Sequence, residues 1–168
     1  EKYSGKTHLV NIFLNKNGGI KVGEEQISNE IFKNLKLYEN IVIDNFENNV
    51  DEKLMYSIFN LVDQDNKFLI INSINPLNKI NFKLNDLKSR SKNCLFAQID
   101  NPDDELMFAI ILKSFSDRQI QIDKKLIDFI IKRIDRSYGK IADFIYKVDE
   151  LSLKKKKAID FKTIKEIL

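Results

Sequence analysis

The sequence has little cysteine and histidine, no tryptophan and no long apolar run. Its 168 residues include one cysteine and one histidine. The single thiol, Cys94, excludes an internal disulfide, and its apolar surroundings indicate a core residue in a reducing compartment, which favours the cytoplasm. No run reaches the roughly 18 apolar residues of a membrane span, and no secretory signal is present. Membrane-spanning and disulfide-rich proteins are therefore excluded.

An excess of one charge sign is also lacking. Lys and Arg number 28 against 25 Asp and Glu, a formal net charge of +3. So weak a field gives little steering toward nucleic acid or an anionic membrane, and we expect direct DNA binding to be weak or indirect. The lysine run at 154–157 is more typical of a solvated connection than of a binding patch. With 43% hydrophobic residues, the chain can bury a real core.

Strand-like and helix-like segments alternate over residues 1–100. The runs NIVIDNF, KFLIINS and CLFAQI are short and rich in apolar residues, which predicts three buried strands. Helical spacing separates them, including a predicted amphipathic helix over 24–38. A further strand would have to fit into residues 20–22. This alternation predicts an α/β fold with a parallel sheet sandwiched by helices.

The pattern becomes purely helical after residue 100. The sequence NPDDE predicts a helix start, with Asn101 as the capping residue and Pro102 in the first helical position. Helices are predicted over 102–116, 123–134 after a capping Asp123, 138–152 and 160–168. The change predicts two domains, an α/β core over 1–100 and a small all-α domain over 101–168.

The opening residues EKYSGKTHLV contain the closing half of a phosphate-binding loop, G-x-x-x-x-G-K-[ST]. A helix is predicted to begin at the Lys-Thr pair, where backbone N–H groups would hold phosphate oxygens. Lys6 would reach the β- and γ-phosphates, and the Thr7 hydroxyl would bind Mg²⁺. A chance G-K-T is the alternative. The first loop glycine would fall before Glu1, so we expect the sequence to start inside the loop.

Polar residues end two of the predicted strands. Asp44 ends IVID as in a Walker B segment, where the carboxylate holds Mg²⁺ directly or through water; an ordinary turn acid is the alternative. Asn45 stands where hydrolysing relatives carry a second acid, so we expect weak or absent intrinsic hydrolysis. Asn72 and Ser73 end the next strand, where a γ-phosphate sensor would lie or where a turn precedes Pro76.

The segment LKSR places Arg90 at the start of the last predicted strand. An arginine there is too far from its own nucleotide and faces a neighbouring subunit, as an arginine finger supplied in trans does. A surface arginine is the alternative when no family is considered.

Taken in order, these motifs resemble a known family. SGKTHL, IVIDN, INSINP, DLKSRS, NPDDE and AIDFKTIKEIL are similar to the DnaA family of AAA+ proteins. Asp44-Asn45, the end of the chain at Leu168 without a helix-turn-helix domain, and the short segment between G-K-T and Asp44 favour the Hda branch over the initiators. The resemblance implies a P-loop AAA+ core followed by a helical lid.

The resemblance also implies a function. A protein of the Hda branch binds ADP or ATP with Mg²⁺, and in its ADP-bound form it docks on the ATP-bound DnaA initiator together with the DNA-loaded sliding clamp. There it stimulates hydrolysis by DnaA and so limits re-initiation of DNA replication. Its clamp-binding peptide would lie upstream of the phosphate loop. The alternatives are a truncated DnaA-type initiator or helicase loader that acts on DNA, and a degenerate P-loop scaffold; a homo-oligomer is also left open.

The implied site residues come from every motif. Arg90 would be the finger in trans, and Thr7 with Asp44 would hold Mg²⁺. Family members carry a lid arginine at or near the position of Gly139 in this chain. The basic candidates nearby are Arg136, about one turn earlier, and Lys140, and the role is assigned to Arg136. The implied nucleotide-binding residues are Ser4, Gly5, Lys6, Thr7, His8, Asp44, Asn72, Ser73 and Arg136.

Overall fold

The structure is a computed structural model that describes residues 2–155 and 160–168. The chain divides into two compact units. An α/β unit comprises Gly5–Ala97, and a helical unit comprises residues 98–168 together with residues 2–4. No helix in the described part of the chain is long and apolar enough to cross a bilayer.

The α/β unit is built on a parallel sheet whose three described strands lie in the order β1-β2-β3. The strands are β1 (Ile20–Gly23), β2 (Asn40–Phe46) and β3 (Phe68–Ser73). The short segment 20–22 therefore does form a strand, as the sequence required. The sheet is parallel and flanked by helices, so the predicted α/β fold class is confirmed.

The helices of this unit are α1 (Lys6–Asn17), α2 (Ile31–Leu35), α3 (Glu52–Gln64) and α4 (Asn85–Asn93). Two single 3-10 turns, Glu24–Gln26 and Leu77–Lys79, lie between them. Helix α1 begins at the Lys-Thr pair, as predicted.

The central strand β2 separates two packed layers. Ile41 and Ile43 point to one face and belong to a core cluster with Met55 and Ile58 of α3. Val42 alternates to the other face. Helix α1 packs against β2. Burial on both faces explains why this strand is an uninterrupted apolar run rather than an alternating one.

The predicted helix over 24–38 is wrong over most of its length. Only Ile31–Leu35 is α-helical, after the separate 3-10 turn at Glu24–Gln26. Ile27 and Leu35 are both buried, as their spacing predicted, but the backbone bends between them. The side chain of Glu24 accepts hydrogen bonds from a distant loop, and this tertiary contact holds the start of the segment outside a continuous helix.

The predicted strand over 94–99 does not form. Residues 95–100 have no regular secondary structure, and Leu95 and Phe96 are 103% and 57% exposed. A strand needs a neighbour for its backbone N–H and C=O groups, and none of the strands in the described residues pairs with this segment. Arg90, expected at the start of this strand, lies in α4 instead.

The thiol of Cys94 directly follows α4. It is half-buried and packs against the core cluster, so it lies at the edge of the core and not inside it as predicted. Burial, and secondarily the negative charge of Asp63, raise the pKa of the Cys94 thiol. It is therefore protonated at neutral pH and a poor nucleophile.

The helical unit contains α5 (Asp104–Asp117), α6 (Lys124–Ile131), α7 (Tyr138–Lys155) and α8 (Phe161–Ile167). The helix-only pattern predicted after residue 100 is confirmed, with ends that differ by a few residues. The side chains at the centre of its core are fully buried and apolar, namely Met107, Ile111, Phe115, Ile127, Ile130, Val148 and Ile164.

Aspartates begin three of these helices. The Asp103 carboxylate accepts from the N–H of Leu106 at 2.8 Å, so Asp103 caps α5 and the predicted cap at Asn101 is wrong. Asn101 and Pro102 precede the helix, and a capping side chain must stand directly before the first helical residue. Asp123 caps α6 as predicted, and Asp160 caps α8.

Candidate nucleotide-binding site

Helix α1 begins directly after Gly5, which has the left-handed conformation φ 85°, ψ 8°. A Cβ added there would meet nothing within 4 Å, so glycine is required by the backbone conformation and not by space. The N–H of Leu9 donates to the Gly5 carbonyl at 3.0 Å and closes the first turn. The first N–H groups of an α-helix have no acceptor within the helix. Together with the positive end of the helix dipole, they can bind an anion.

Three side chains meet at the carboxyl ends of β2 and β3. The Thr7 hydroxyl donates to Oδ1 of Asp44 at 3.2 Å, and the amide of Asn72 donates to the same oxygen at 3.0 Å. Asp44 is only 6% exposed, so these two donors offset part of the cost of burying its charge. The structure thus brings together residues that the sequence predicted from three separate motifs.

This oxygen set fits Mg²⁺. The Thr7 hydroxyl and the Asp44 carboxylate are hard oxygen ligands, and proteins commonly bind Mg²⁺ through one or two carboxylates completed by waters and phosphate oxygens. Over residues 2–155 and 160–168, no group of three or more His, Cys, Asp or Glu side chains could hold a metal by itself. A metal at Asp44 would therefore need a nucleotide and water for most of its ligands.

The backbone bends directly after Asp44. Asn45 is left-handed with φ 56°, and the register between β2 and β3 shifts between Ile43 and Phe46. Asparagine tolerates this conformation better than most residues. Asn45 is exposed and Phe46 returns to the core. The residue directly after Asp44 is thus a neutral, solvent-exposed amide.

Ser73 does not join the cluster at Asp44. Its hydroxyl donates to the carbonyl of Asn75 at 2.6 Å, so it stabilises the turn after β3, the alternative that the sequence left open for it. Of the two strand-end residues, it is Asn72 whose side chain reaches Asp44.

The other predicted contacts to the nucleotide stay predictions. Lys6 and His8 lie in the first turn of α1, the former half-buried and the latter exposed. Ser4 groups with the helical unit. So does Arg136, whose guanidinium contacts Oδ1 of Asp104 through Nη2 at 2.9 Å and Nε at 3.1 Å. Both side chains are more than half exposed, and such a surface pair contributes about 1 kcal/mol or less.

Arg90 lies on α4 and contacts three side chains of α3. Its Nη1 pairs with the Asp63 carboxylate, and its Nη2 donates to Oδ1 of Asn60 at 2.8 Å. Its Cζ lies 5.4 Å from the ring centroid of Tyr56. The hydrogen bond to Asp63 is the main cause that raises the pKa of Arg90 above its ordinary value. The predicted finger is thus engaged with its own chain.

The sequence did not point to Glu24. Its buried carboxylate accepts from the N–H groups of Glu47 at 2.7 Å and Val50 at 3.1 Å, and also from that of Asn49. These N–H groups belong to the loop that joins β2 to α3, so Glu24 fixes the backbone that follows Asp44. Its neighbour Glu25 is exposed, and nothing in the spacing of the sequence distinguishes the two acids.

No family model matches this sequence, but comparison with known proteins finds relatives. The chain is 26% identical over 187 residues to the chromosomal replication initiator protein DnaA of Caldanaerobacter subterraneus subsp. tengcongensis, which covers 98% of the chain. DnaA of Thermoanaerobacter pseudethanolicus matches with the same identity and coverage. The chain spans 42% of the length of these curated relatives.

Solved structures of low identity share the fold. Domain III of Thermotoga maritima DnaA superposes with a TM-score of 0.76 at 18% identity, over 99% of this chain and 80% of that one. AMPPCP-bound DnaA of Aquifex aeolicus gives 0.68 at 20% identity, over 92% and 54%. A Thermotoga maritima RuvB variant gives 0.70 at 17% identity, over 99% and 58%. The chain has the AAA+ fold, and its sequence is similar to DnaA.

Proposed function

We propose that this chain is a nucleotide-binding replication protein related to DnaA, which binds ADP or ATP with Mg²⁺ at the carboxyl ends of β2 and β3. The observation that carries this proposal is the convergence of Thr7 and Asn72 on one buried oxygen of Asp44. Support also comes from Gly5, whose left-handed backbone begins α1 beside this cluster. The AMPPCP bound to a DnaA of the same fold is consistent with it.

Each residue has a distinct task in this proposal. Lys6 and the N–H groups of α1 bind the phosphates. Thr7 and Asp44 hold Mg²⁺, which when bound neutralises phosphate charge. The Asn72 amide fixes the orientation of the Asp44 carboxylate by donating to Oδ1. With neutral Asn45 next to Asp44, the chain lacks a second acid to orient water, so intrinsic hydrolysis is weak or absent.

We further propose that the protein regulates the initiator and is not one itself. Asp44-Asn45 supports this role, as does the shortness of the segment before β2. The aligned stretch of 187 positions exceeds the 168 residues of the chain, so the relatives carry residues within it that this chain lacks. In this role the cytoplasmic protein docks on ATP-bound DnaA with the sliding clamp, and Arg90 stimulates hydrolysis in trans.

Nucleotide binding is tested by calorimetry of the full-length protein with ADP and with ATP in the presence of Mg²⁺. Lys6→Ala should weaken binding at least tenfold, because a charge-assisted contact to phosphate contributes about 1.5–3 kcal/mol. Lys16→Ala is the matched control, since Lys16 is an exposed lysine in the last turn of the same helix. If the unaltered protein binds neither nucleotide, the degenerate scaffold becomes the better description.

The regulatory role is tested by the rate at which ATP-bound DnaA hydrolyses its nucleotide. Arg90→Ala should keep ADP binding and lose the stimulation, because the guanidinium would act on the nucleotide of the partner. Arg118→Ala is the control, since Arg118 pairs with Asp149 within the helical unit. Normal stimulation by Arg90→Ala would remove the finger from the proposal.

A second candidate is an initiator or helicase loader that acts directly on DNA. It is favoured by the names of the curated relatives, which are initiators. The lysine run at 154–157 would contact phosphates, although Lys154 pairs with Glu150 at 2.8 Å and Lys156 and Lys157 lie outside the described residues. Each lysine that contacts a phosphate adds about 0.9 to the salt slope of DNA affinity. No DNA binding at low salt would exclude this candidate.

A further inference from the structure

We propose that Tyr56, Asn60 and Asp63 form a latch on α3 that holds Arg90 in cis, and that Arg90 must leave this latch to act on the nucleotide of a partner. The inference rests on the proposed function, because that function gives Arg90 its role in trans. It adds a regulatory step to that role, namely a closed form in which the guanidinium is held by its own chain.

The latch residues occupy one face of α3. Positions 56, 60 and 63 are spaced by four and three residues, and this spacing places their side chains side by side on a helix. They meet the same guanidinium with an aromatic ring, an amide oxygen and a carboxylate. These are three groups that bind a guanidinium well, through its face and through its N–H edges.

The position of Arg90 argues against a finger that stands ready. Its side chain is 30% exposed, whereas that of its partner Asp63 is 62% exposed. The guanidinium thus lies against α3, and its anionic partner is the accessible one. A finger stabilises negative charge on phosphate oxygens, so the Asp63 carboxylate competes with those oxygens for the same donors.

The size of the effect is estimated from two of the three contacts, the ion pair with Asp63 and the cation–π contact with Tyr56. An ion pair at the surface and a cation–π contact each favour the bound side chain by a small factor, and together they favour the latched form about three- to thirtyfold. The apparent affinity for a partner is the intrinsic affinity multiplied by the fraction of molecules that are unlatched. The latch should therefore shift the concentration needed for stimulation and leave the maximal rate unchanged.

The test measures ATP hydrolysis by a fixed amount of ATP-bound DnaA while the concentration of the full-length protein is raised. With Asp63→Ala, half-maximal stimulation should be reached at a lower concentration, by up to about fivefold. Asp65→Ala is the matched control, because it removes the same charge two residues away, where Asp65 pairs with Lys67 at 4.0 Å. The control should need the same concentration as the unaltered protein.

A second measurement observes the latch without the partner. In ¹⁵N-resolved spectra, the Nη–H groups of Arg90, which donate to Asp63 and Asn60, should exchange slowly in the unaltered protein and in Asp65→Ala, and markedly faster in Asp63→Ala. If Asp63→Ala leaves this exchange unchanged, or stimulates no better while Arg90→Ala abolishes stimulation, the latch is refuted and the proposed function stands. If Arg90→Ala stimulates normally, the finger is refuted and the latch with it.

Discussion

The two units bury different kinds of side chain. Within the described residues, the buried polar side chains are Glu24, Asn40, Asp44 and Ser91, and all lie in the α/β unit. The core of the helical unit is apolar throughout its described part. Burying a charge costs several kcal/mol unless hydrogen bonds compensate it. The α/β unit bears this cost at Asp44 and Glu24, whereas the helical unit gains stability from its core without it.

The largest expected effect tests how much the buried core of the helical unit contributes to the free energy of unfolding. Phe115→Ala should lower the free energy of unfolding by about 3–5 kcal/mol, because Phe115 is 0% exposed and its removal leaves a cavity. Leu153→Ala, at a 72% exposed position of α7, is the control and should change it by less than about 0.5 kcal/mol. Denaturant unfolding followed by circular dichroism measures both. A loss below about 1 kcal/mol for Phe115→Ala would contradict a close-packed apolar core.

The second prediction tests whether a buried carboxylate stabilises the fold to an extent similar to that of a buried aromatic ring. Glu24→Ala should destabilise the protein by about 2–3 kcal/mol, because it leaves the N–H groups of Glu47, Asn49 and Val50 without their acceptor. Exposed Glu25 provides the control, and Glu25→Ala should be nearly neutral. Equal melting temperatures for the two variants would show that the loop after β2 does not depend on Glu24.

Local patterns predicted most of the fold correctly. The strands β2 and β3 and the helices α3 and α5 to α8 each have a period or an apolar run that their own residues determine. The segments at 24–38 and 94–99 failed for a different reason. A strand exists only with a neighbour, and a helix can be interrupted by a side chain that binds elsewhere. Neither condition can be predicted from the residues of the segment alone.

The site follows the same rule. Thr7, Asp44 and Asn72 were predicted because each sits at a fixed place in a motif, at a helix start or at the end of a strand. The hydrogen-bond partners of Arg90 and the role of Glu24 were not predicted, because they depend on contacts between residues 23 to 30 positions apart in the sequence. Sequence order thus predicted the residues that meet at Asp44 but not the contacts that support them.

The third effect separates ligand binding from stability. Asp44→Asn should reduce Mg²⁺-dependent nucleotide affinity at least about tenfold, since the amide replaces an anionic ligand of Mg²⁺. The same change should alter the free energy of unfolding by less than about 1 kcal/mol, because it removes a buried charge while keeping an oxygen that accepts from Thr7 and Asn72. Titration calorimetry and denaturant unfolding measure the two quantities. A large loss of stability with unchanged affinity would make Asp44 structural, as Glu24 is.

The smallest effect concerns the pH dependence of the α/β unit. The pKa of the Cys94 thiol is raised by burial, so the folded state binds this proton more tightly than the unfolded state does. The resulting stability is fully present below the ordinary thiol pKa of about 8.5 and is lost as pH rises through the raised value. Unfolding free energies of the unaltered protein and of Cys94→Ala, measured between about pH 7.5 and pH 10, should therefore differ in slope, with the steeper fall in the unaltered protein. Because both proteins share their lysines and tyrosines, the difference isolates the thiol. Parallel slopes would mean that the folded unit gives the thiol the same environment as water does, contrary to its packing against the core.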